Sequence, residues 1–279
     1  MKEKRLFKFG ILALSIVLIA CTGGSAEAGC PEIDGREINV VATTPMIGEF
    51  VSQVGGDNIN LTVLMPAEAD PHTYDPAPQD AGTIADADLV FYTGLKYEPA
   101  ALIKLLENSA CSAEVLAEVG ESVFPIEFKE GGHDDHDEEG HDDHDEAYDP
   151  HFWFDPNRVA YAAEYIESKL VEFDPSNASE YEAAGKAYVT ELKGLVGQVS
   201  ELISTIPSQN RKLITTHESL GYLEAKFGLE VLSTIIPSID SANEISPSQL
   251  VGVIDVIEDN NVKVIFIEAE APSVYAETI

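Results

Sequence analysis

The stretch Asp174–Pro207, DPSNASEYEAAGKAYVTELKGLVGQVSELISTIP, decides how the rest of the chain is organised. Asp174-Pro175 is a helix start, with a carboxylate at the N-cap and proline at the first helical position. No proline follows until Pro207, and Tyr181, Ala184, Tyr188, Leu192, Leu195, Val199, Leu202 and Ile203 recur at helical spacing. About 30 residues at 1.5 Å each make a rod of roughly 45 Å. A helix of that length joining two folded regions is a stiff spine rather than a flexible hinge.

Outward from this helix, both flanks alternate between β-rich runs and helical segments. Before it, Ile38–Thr43, Leu61–Met65 and Leu89–Thr93 read as strands, with Met46–Val54 and Pro78–Ala87 suited to helices. After it, Lys212–Thr216, Glu230–Ile235 and Val262–Ile267 repeat the pattern, with Ser246–Asn260 as an amphipathic helix. Such alternation predicts parallel βαβ units. The expected fold is therefore α/β: two similar lobes of parallel sheet flanked by helices and joined by one long spine helix. The expected boundaries are an N-terminal lobe over 36–172, the spine over 173–207 and a C-terminal lobe over 208–279. Pro272–Ile279 reads as the opening of a helix, so the second lobe is expected to be truncated, short of at least one further strand and helix.

The N-terminus reads as an export signal over 1–20, with Lys2, Lys4, Arg5 and Lys8 ahead of a short apolar core, Phe9–Ala20. Leu18-Ile19-Ala20-Cys21 looks like a bacterial lipobox, which makes Cys21 the expected lipidation site and 21–35 a tether. Two acyl chains suffice for stable anchoring, which places the protein on the outer face of the cell membrane, in a periplasm or at the cell surface. Cys30 and Cys111 remain, and in an oxidising compartment either pairing or two free thiols fits the sequence.

The chain of 279 residues carries 50 acidic against 16 basic side chains, a formal charge of −34. That balance excludes nucleic acid as a partner, because phosphate binding needs clustered Lys and Arg. It favours cations near the surface, or serves only solubility.

All seven histidines fall in a few acidic contexts: Asp70-Pro71-His72, Asp149-Pro150-His151, Thr216-His217-Glu218, and the run His133–His144. Neutral imidazole is the commonest protein ligand for transition metals. Any one of these histidines alone is better explained as a hydrogen-bonded structural residue. As a set, His72 past one strand and His217 directly after another fit the rule that open parallel sheets bind ligands at the carboxyl ends of their strands. His151 precedes Phe152-Trp153-Phe154-Asp155-Pro156, an aromatic turn able to fix its ring.

Asp70-Pro-His-Thr-Tyr-Asp-Pro76, Asp149-Pro-His-Phe-Trp-Phe-Asp-Pro156 and Thr216-His-Glu-Ser-Leu-Gly-Tyr222 resemble the three ligand motifs of the metal-binding solute-binding lipoproteins of zinc and manganese ABC transporters (cluster A-I type). Their order and spacing match, as do the lipobox and the spine, and Glu244–Leu250 is similar to a further family segment opening a helix. The resemblance covers essentially the whole mature chain. It implies two lobes with little hinge closure, a metal held between them by His72, His151 and His217, and partnership with a membrane permease and its cytoplasmic ATPase. Family members often add a fourth ligand, commonly aspartate, from a loop after the strand Val262–Ile267. That ligand is expected beyond residue 279, and neither Glu268 nor Glu270 is assigned the role.

Three imidazoles suit zinc, whereas manganese prefers more oxygen. The run from His133 to Glu146 holds His133, His136, His141 and His144 among nine carboxylates, with His-Asp-Asp-His-Asp-Glu occurring twice. Such a segment, within 131–147, cannot bury a core. It resembles the His- and acid-rich insertion of the family's zinc-specific members, which makes these four histidines an accessory metal-gathering loop; a solvated loop without a role is the bland reading. Zn2+ is thus the expected ion, with Mn2+ or iron as the alternative, and the protein is expected to be a monomeric receptor and not an enzyme. Two other classes compete. A three-histidine zinc hydrolase or lyase would use an open metal position to activate water. His217-Glu218 begins like a zincin motif, but Gly221 stands where its second histidine belongs, and no general base announces itself. A surface adhesin or metal buffer working without a transporter is the other.

Overall fold

The structure, a computed structural model, describes residues 30, 32–33, 35–128, 148–236, 246–262 and 264–267. The proposed signal and lipobox, the histidine-rich run and the residues after 267 lie outside the described residues.

Two parallel sheets carry the fold. The first contains β1 (Ile38–Ala42), β2 (Ile59–Val63), β3 (Leu89–Tyr92) and β4 (Leu116–Glu118) in the order β2-β1-β3-β4. Side chains alternate between its faces, as period-two geometry requires. Ile38, Val40, Ala42, Leu89 and Phe91 enter one core with helices α1 (Pro45–Gly55), α4 (Pro156–Phe173) and α5 (Ala178–Ser204). Val41 and Val90 enter a second core with α2 (Pro78–Ala85) and α3 (Ala100–Ser109). With both faces covered, the strands read as nearly continuous apolar runs. The second sheet contains β5 (Lys212–Thr215), β6 (Glu230–Thr234) and β7 (Ile265–Phe266) in the order β6-β5-β7, with α6 (Gly221–Phe227) and α7 (Pro247–Asn260). Its core is smaller, built on Ile214, Ile235, Ile236 and Val253.

Local signals explain several boundaries. Thr44 caps α1 by accepting from Ile47 N at 3.3 Å, and Pro45 occupies the first turn. Ser246 and Gln249 form a reciprocal capping box on α7, which ends at Asn261 in the left-handed conformation. The spine departs from its sequence reading at both ends. Pro175–Asn177 is a single 3-10 turn, and α5 begins only at Ala178 and runs 27 residues, about 40 Å. Asp174 does not cap it: its Oδ2 accepts instead from the Tyr181 hydroxyl at 2.8 Å and from Asn177 Nδ2 at 2.7 Å. The apolar stripe also divides. Tyr181, Val189 and Leu192 are buried in the first lobe, whereas Leu195 and Leu202 are 39% and 68% exposed on the stretch that runs on towards β5.

Four elements carried no expectation: α3, β4, α4 and α6. Of these α4 matters most, since it packs along α5 and makes the linking region a helical pair. Cys30 and Cys111 are joined by a disulfide, which fastens the start of the described chain to the segment after α3. Nearby, Arg36 grips the buried carboxylate of Asp88 through both guanidinium nitrogens at 2.6 Å. Among the described residues no helix is long and apolar enough to cross a membrane.

Candidate metal centre

In each sheet the connections diverge from a central strand: β1 and β3 flank the divergence in the first, β5 and β7 in the second. A crevice forms there at the carboxyl ends of the strands. His72 stands in the loop between β2 and α2, His217 follows β5 by two residues, and His151 precedes the 3-10 turn Phe152–Phe154 that leads into α4.

The two Asp-Pro-His segments fold by the same device. Asp70 Oδ1 accepts from His72 N at 3.0 Å, and Asp149 Oδ1 accepts from His151 N at 2.8 Å. Each aspartate thereby closes a turn across a proline whose φ is already set, and projects the histidine from its far side. Asp149 does more, because the same oxygen lies 2.9 Å from His151 Nδ1. A proton on Nδ1, shared with that buried carboxylate, makes Nε2 the nitrogen that presents a lone pair to an electrophile. His217 is set by a tight turn in which its carbonyl accepts from the Thr215 hydroxyl at 2.7 Å and from Ser219 N at 3.0 Å.

These three turns bring His72, His151 and His217 together, with one nitrogen of each within 4.8 Å of the others. His151 and His217 are 2% and 5% exposed, while His72 is half-buried at the mouth. Nε2 of His217 lies 3.2 Å from Nε2 of His151. Two nitrogens bound tetrahedrally to one zinc at 2.0–2.1 Å stand about 3.3 Å apart, so this pair already has the spacing of a shared ion. Among the described residues no other group of histidines, cysteines and carboxylates meets that condition. The cavity they line has a volume of about 250 Å³ and is otherwise walled by Pro45, Met46, Tyr97, Trp153 and Phe154. Its lining is mainly apolar, with Asp70 and Ser219 also contributing, and an apolar surround strengthens electrostatic contacts inside.

Tyr97 and Glu98 escaped the sequence reading, whereas Trp153 belongs to the aromatic turn already expected to fix the His151 ring. The Tyr97 ring stands edge-on to His72 at 4.8 Å, to His151 at 5.6 Å and to Trp153 at 5.2 Å between centroids. Trp153 in turn stands edge-on to His151 at 5.3 Å. Glu98, buried beneath them, binds the Thr43 hydroxyl and the main-chain N–H groups of Thr93 and Gly94. Burial raises its pKa, and those three donors pull in the opposite direction. Gly94 was the available signal: its φ is +75°, and a Cβ there would collide with the Glu118 carboxylate.

At position 221, where a zincin would carry its second histidine, a side chain would meet Asp149 Oδ2 at 2.6 Å. The close approach of α6 to the second histidine motif leaves little room for a side chain there. Tyr222, the next residue, donates its hydroxyl to Asp149 O at 2.8 Å and accepts from Ile126 N at 3.2 Å, so a buried side chain of the second lobe ties down the first-lobe turn that holds His151. His133, His136, His141 and His144 lie outside the described residues, which end at Phe128 and resume at Tyr148. Cys21 is likewise outside them.

Residues 40–279 match the sequence profile of the family described as zinc-uptake complex component A, periplasmic. The chain is 31% identical over 278 residues to the high-affinity zinc uptake system protein ZnuA of Bacillus subtilis, covering 96% of this chain and 82% of that protein. It is 26% identical over 277 residues to the manganese-binding lipoprotein MntA of Halalkalibacterium halodurans, covering 99% and 85%. Among solved structures, the periplasmic zinc-binding protein TroA of Treponema pallidum is 25% identical and superposes with a TM-score of 0.74 over 87% of this chain and 82% of the other. By fold, by motif order and by these matches, the chain belongs to the zinc-uptake complex component A family of metal-binding components of ABC transporters.

Proposed function

We propose that this protein is an extracytoplasmic, lipid-anchored zinc receptor that captures one ion at His72, His151 and His217 and delivers it to a membrane permease driven by a cytoplasmic ATPase. The observation that carries the reading is the convergence of three imidazoles in one apolar cavity, two of them spaced as ligands of a single ion. The work is selective binding and release, without covalent chemistry. All-nitrogen donors favour zinc over manganese. The histidine-rich run supports the same choice, as a segment that gathers zinc from dilute solution for the cavity.

A manganese receptor is the second reading, because a relative spanning nearly all of the chain is named for manganese. Zinc outbinds manganese at most nitrogen and oxygen sites, so uptake of each ion by cells carrying the full chain, with His72→Ala as control, separates the readings better than competition does. The zinc reading expects zinc uptake that depends on the chain and is lost in His72→Ala. Chain-dependent uptake of manganese without zinc uptake would overturn it. Removing 133–146 and measuring uptake at limiting zinc tests the accessory loop, and unchanged uptake at every zinc concentration would remove its role. Absence of a zinc-dependent turnover of ester, peptide or bicarbonate substrates is expected; sustained turnover lost in His151→Ala would favour the hydrolase class.

A further inference from the structure

Three consecutive residues after β3, namely Gly94, Leu95 and Lys96, have positive φ values of 75°, 53° and 64°. Non-glycine residues seldom enter this region, and a run of three persists only where the surroundings over-determine it. Two carboxylates do so here. Glu98 is 4% exposed and accepts from Thr93 N at 2.6 Å, from Gly94 N at 2.9 Å and from the Thr43 hydroxyl at 2.7 Å. Glu118, at the end of β4, accepts from Leu95 N at 3.0 Å. Tyr97 N closes the turn on Gly94 O at 2.9 Å, and Gly120 N holds Thr93 O at 2.8 Å. Glu98 thus joins the carboxyl ends of β1 and β3, the two strands between which the first sheet's connections diverge.

What this strained turn delivers is Tyr97. Its ring is edge-on to His72, the least buried of the three histidines, and to both His151 and Trp153. The ring of His72 packs at 4.8 Å against the tyrosine that the turn places. A core needing only apolar filling has no use for a buried carboxylate and three left-handed residues at this point. Strain of this kind collects where geometry matters to function.

We infer that Glu98 is a positioning residue of the metal centre, acting through the Gly94–Lys96 turn and Tyr97 to fix the orientation of the His72 ring. The inference rests on the reading of the three histidines as ligands. Supporting groups that orient ligands in this way typically contribute 10–100-fold to metal affinity.

The test is a double-mutant cycle on the full chain, with zinc titrated into wild type, Glu98→Gln, Tyr97→Ala and the double variant, and with thermal unfolding of each metal-free protein in parallel. Glutamine keeps the volume but turns an NH2 group towards a main-chain N–H that needs an acceptor. Each single variant is expected to bind zinc about 10–100-fold more weakly. The double variant should be no weaker than the weaker single, because both act through one ring. Metal-free Glu98→Gln should also shift Trp153 emission towards that of Tyr97→Ala. Thr43→Val, which removes one donor and leaves the carboxylate, should give a smaller loss in the same direction, and it carries the test if Glu98→Gln does not fold. Wild-type affinity in Thr43→Val and Glu98→Gln, or losses that multiply in the double variant, would overturn the inference and leave Glu98 a residue of the fold alone. A wild-type chain that fails to bind zinc, or binds it no better than His151→Ala, would contradict the ligand reading itself and this inference with it.

Discussion

His217 Nε2 sits 3.2 Å from His151 Nε2, although the two residues belong to different lobes and are 66 positions apart in the chain. Two buried nitrogens at that distance are held together by the turns on which they stand. Asp149 and Tyr222 keep His151 in place: the aspartate binds its ring, and the tyrosine reaches across from α6 to the aspartate's carbonyl.

Tyr222→Phe should therefore loosen the site with little change in its composition. The hydroxyl both donates to Asp149 O and accepts from Ile126 N, so its loss leaves a buried carbonyl and a part-buried N–H without that partner. A cost of about 1–3 kcal/mol in stability is expected. Chemical denaturation measures it, and an unfolding midpoint equal to wild type would contradict the assigned bonds.

Trp153 is the chain's single tryptophan and touches both His151 and Tyr97 edge-on. Ion binding at His151 should change its emission in a saturable way. His151→Ala should abolish the change, while removal of 133–146 should leave it. A signal that persists in His151→Ala would place the bound ion elsewhere.

The sequence exposed the site more fully than it exposed the architecture around it. Each histidine motif is local: an aspartate, a proline and a strand end can be recognised without knowing what lies opposite. The strands were legible for the same reason, since a sheet covered on both faces is written in apolar runs such as Ile38–Ala42. Misreadings arose where one signal had two uses. Asp155-Pro156 and Asp174-Pro175 are both helix starts by composition. Asp155 does cap α4, accepting from Asn157 N at 2.9 Å, but Asp174 is engaged by Tyr181 and no longer caps α5. The Tyr97 wall was invisible because it depends on three left-handed residues, of which Gly94 alone advertises its conformation.

The Cys30–Cys111 disulfide closes a loop with a sequence separation of 81. Loop-closure entropy alone would give about 4.5 kcal/mol for that length, while disulfides typically contribute about 2–4 kcal/mol. The Arg36–Asp88 pair pins the same segment independently, so the lower part of that range is expected. Replacing both cysteines by serine should lower the melting temperature by several degrees without altering zinc affinity, because the bond lies outside the metal cavity. An unchanged melting temperature, or a lost metal site, would contradict this placement.

A formal charge of −34 on 279 residues produces self-repulsion that added salt screens. Stability should rise as sodium chloride is increased from about 0.05 to 1 M, a range over which the screening length falls from more than 10 Å to about 3 Å. Thermal unfolding in a non-coordinating buffer gives the answer directly. A melting temperature that is flat or falls with salt would show that surface repulsion is not a significant term.

The central claim is that His72, His151 and His217 form one metal site across the two lobes. Its most direct test is zinc stoichiometry and affinity on the chain lacking 133–146, so that the histidine-rich run contributes nothing, compared with the same chain carrying His72→Ala, His151→Ala or His217→Ala. The account predicts one tightly bound zinc per chain, weakened by at least about tenfold in every single variant, with affinity falling as protons compete for the imidazoles between pH 7.5 and 5.5. Tight binding that survives any one of the three substitutions, or that is the same at both pH values, would contradict it.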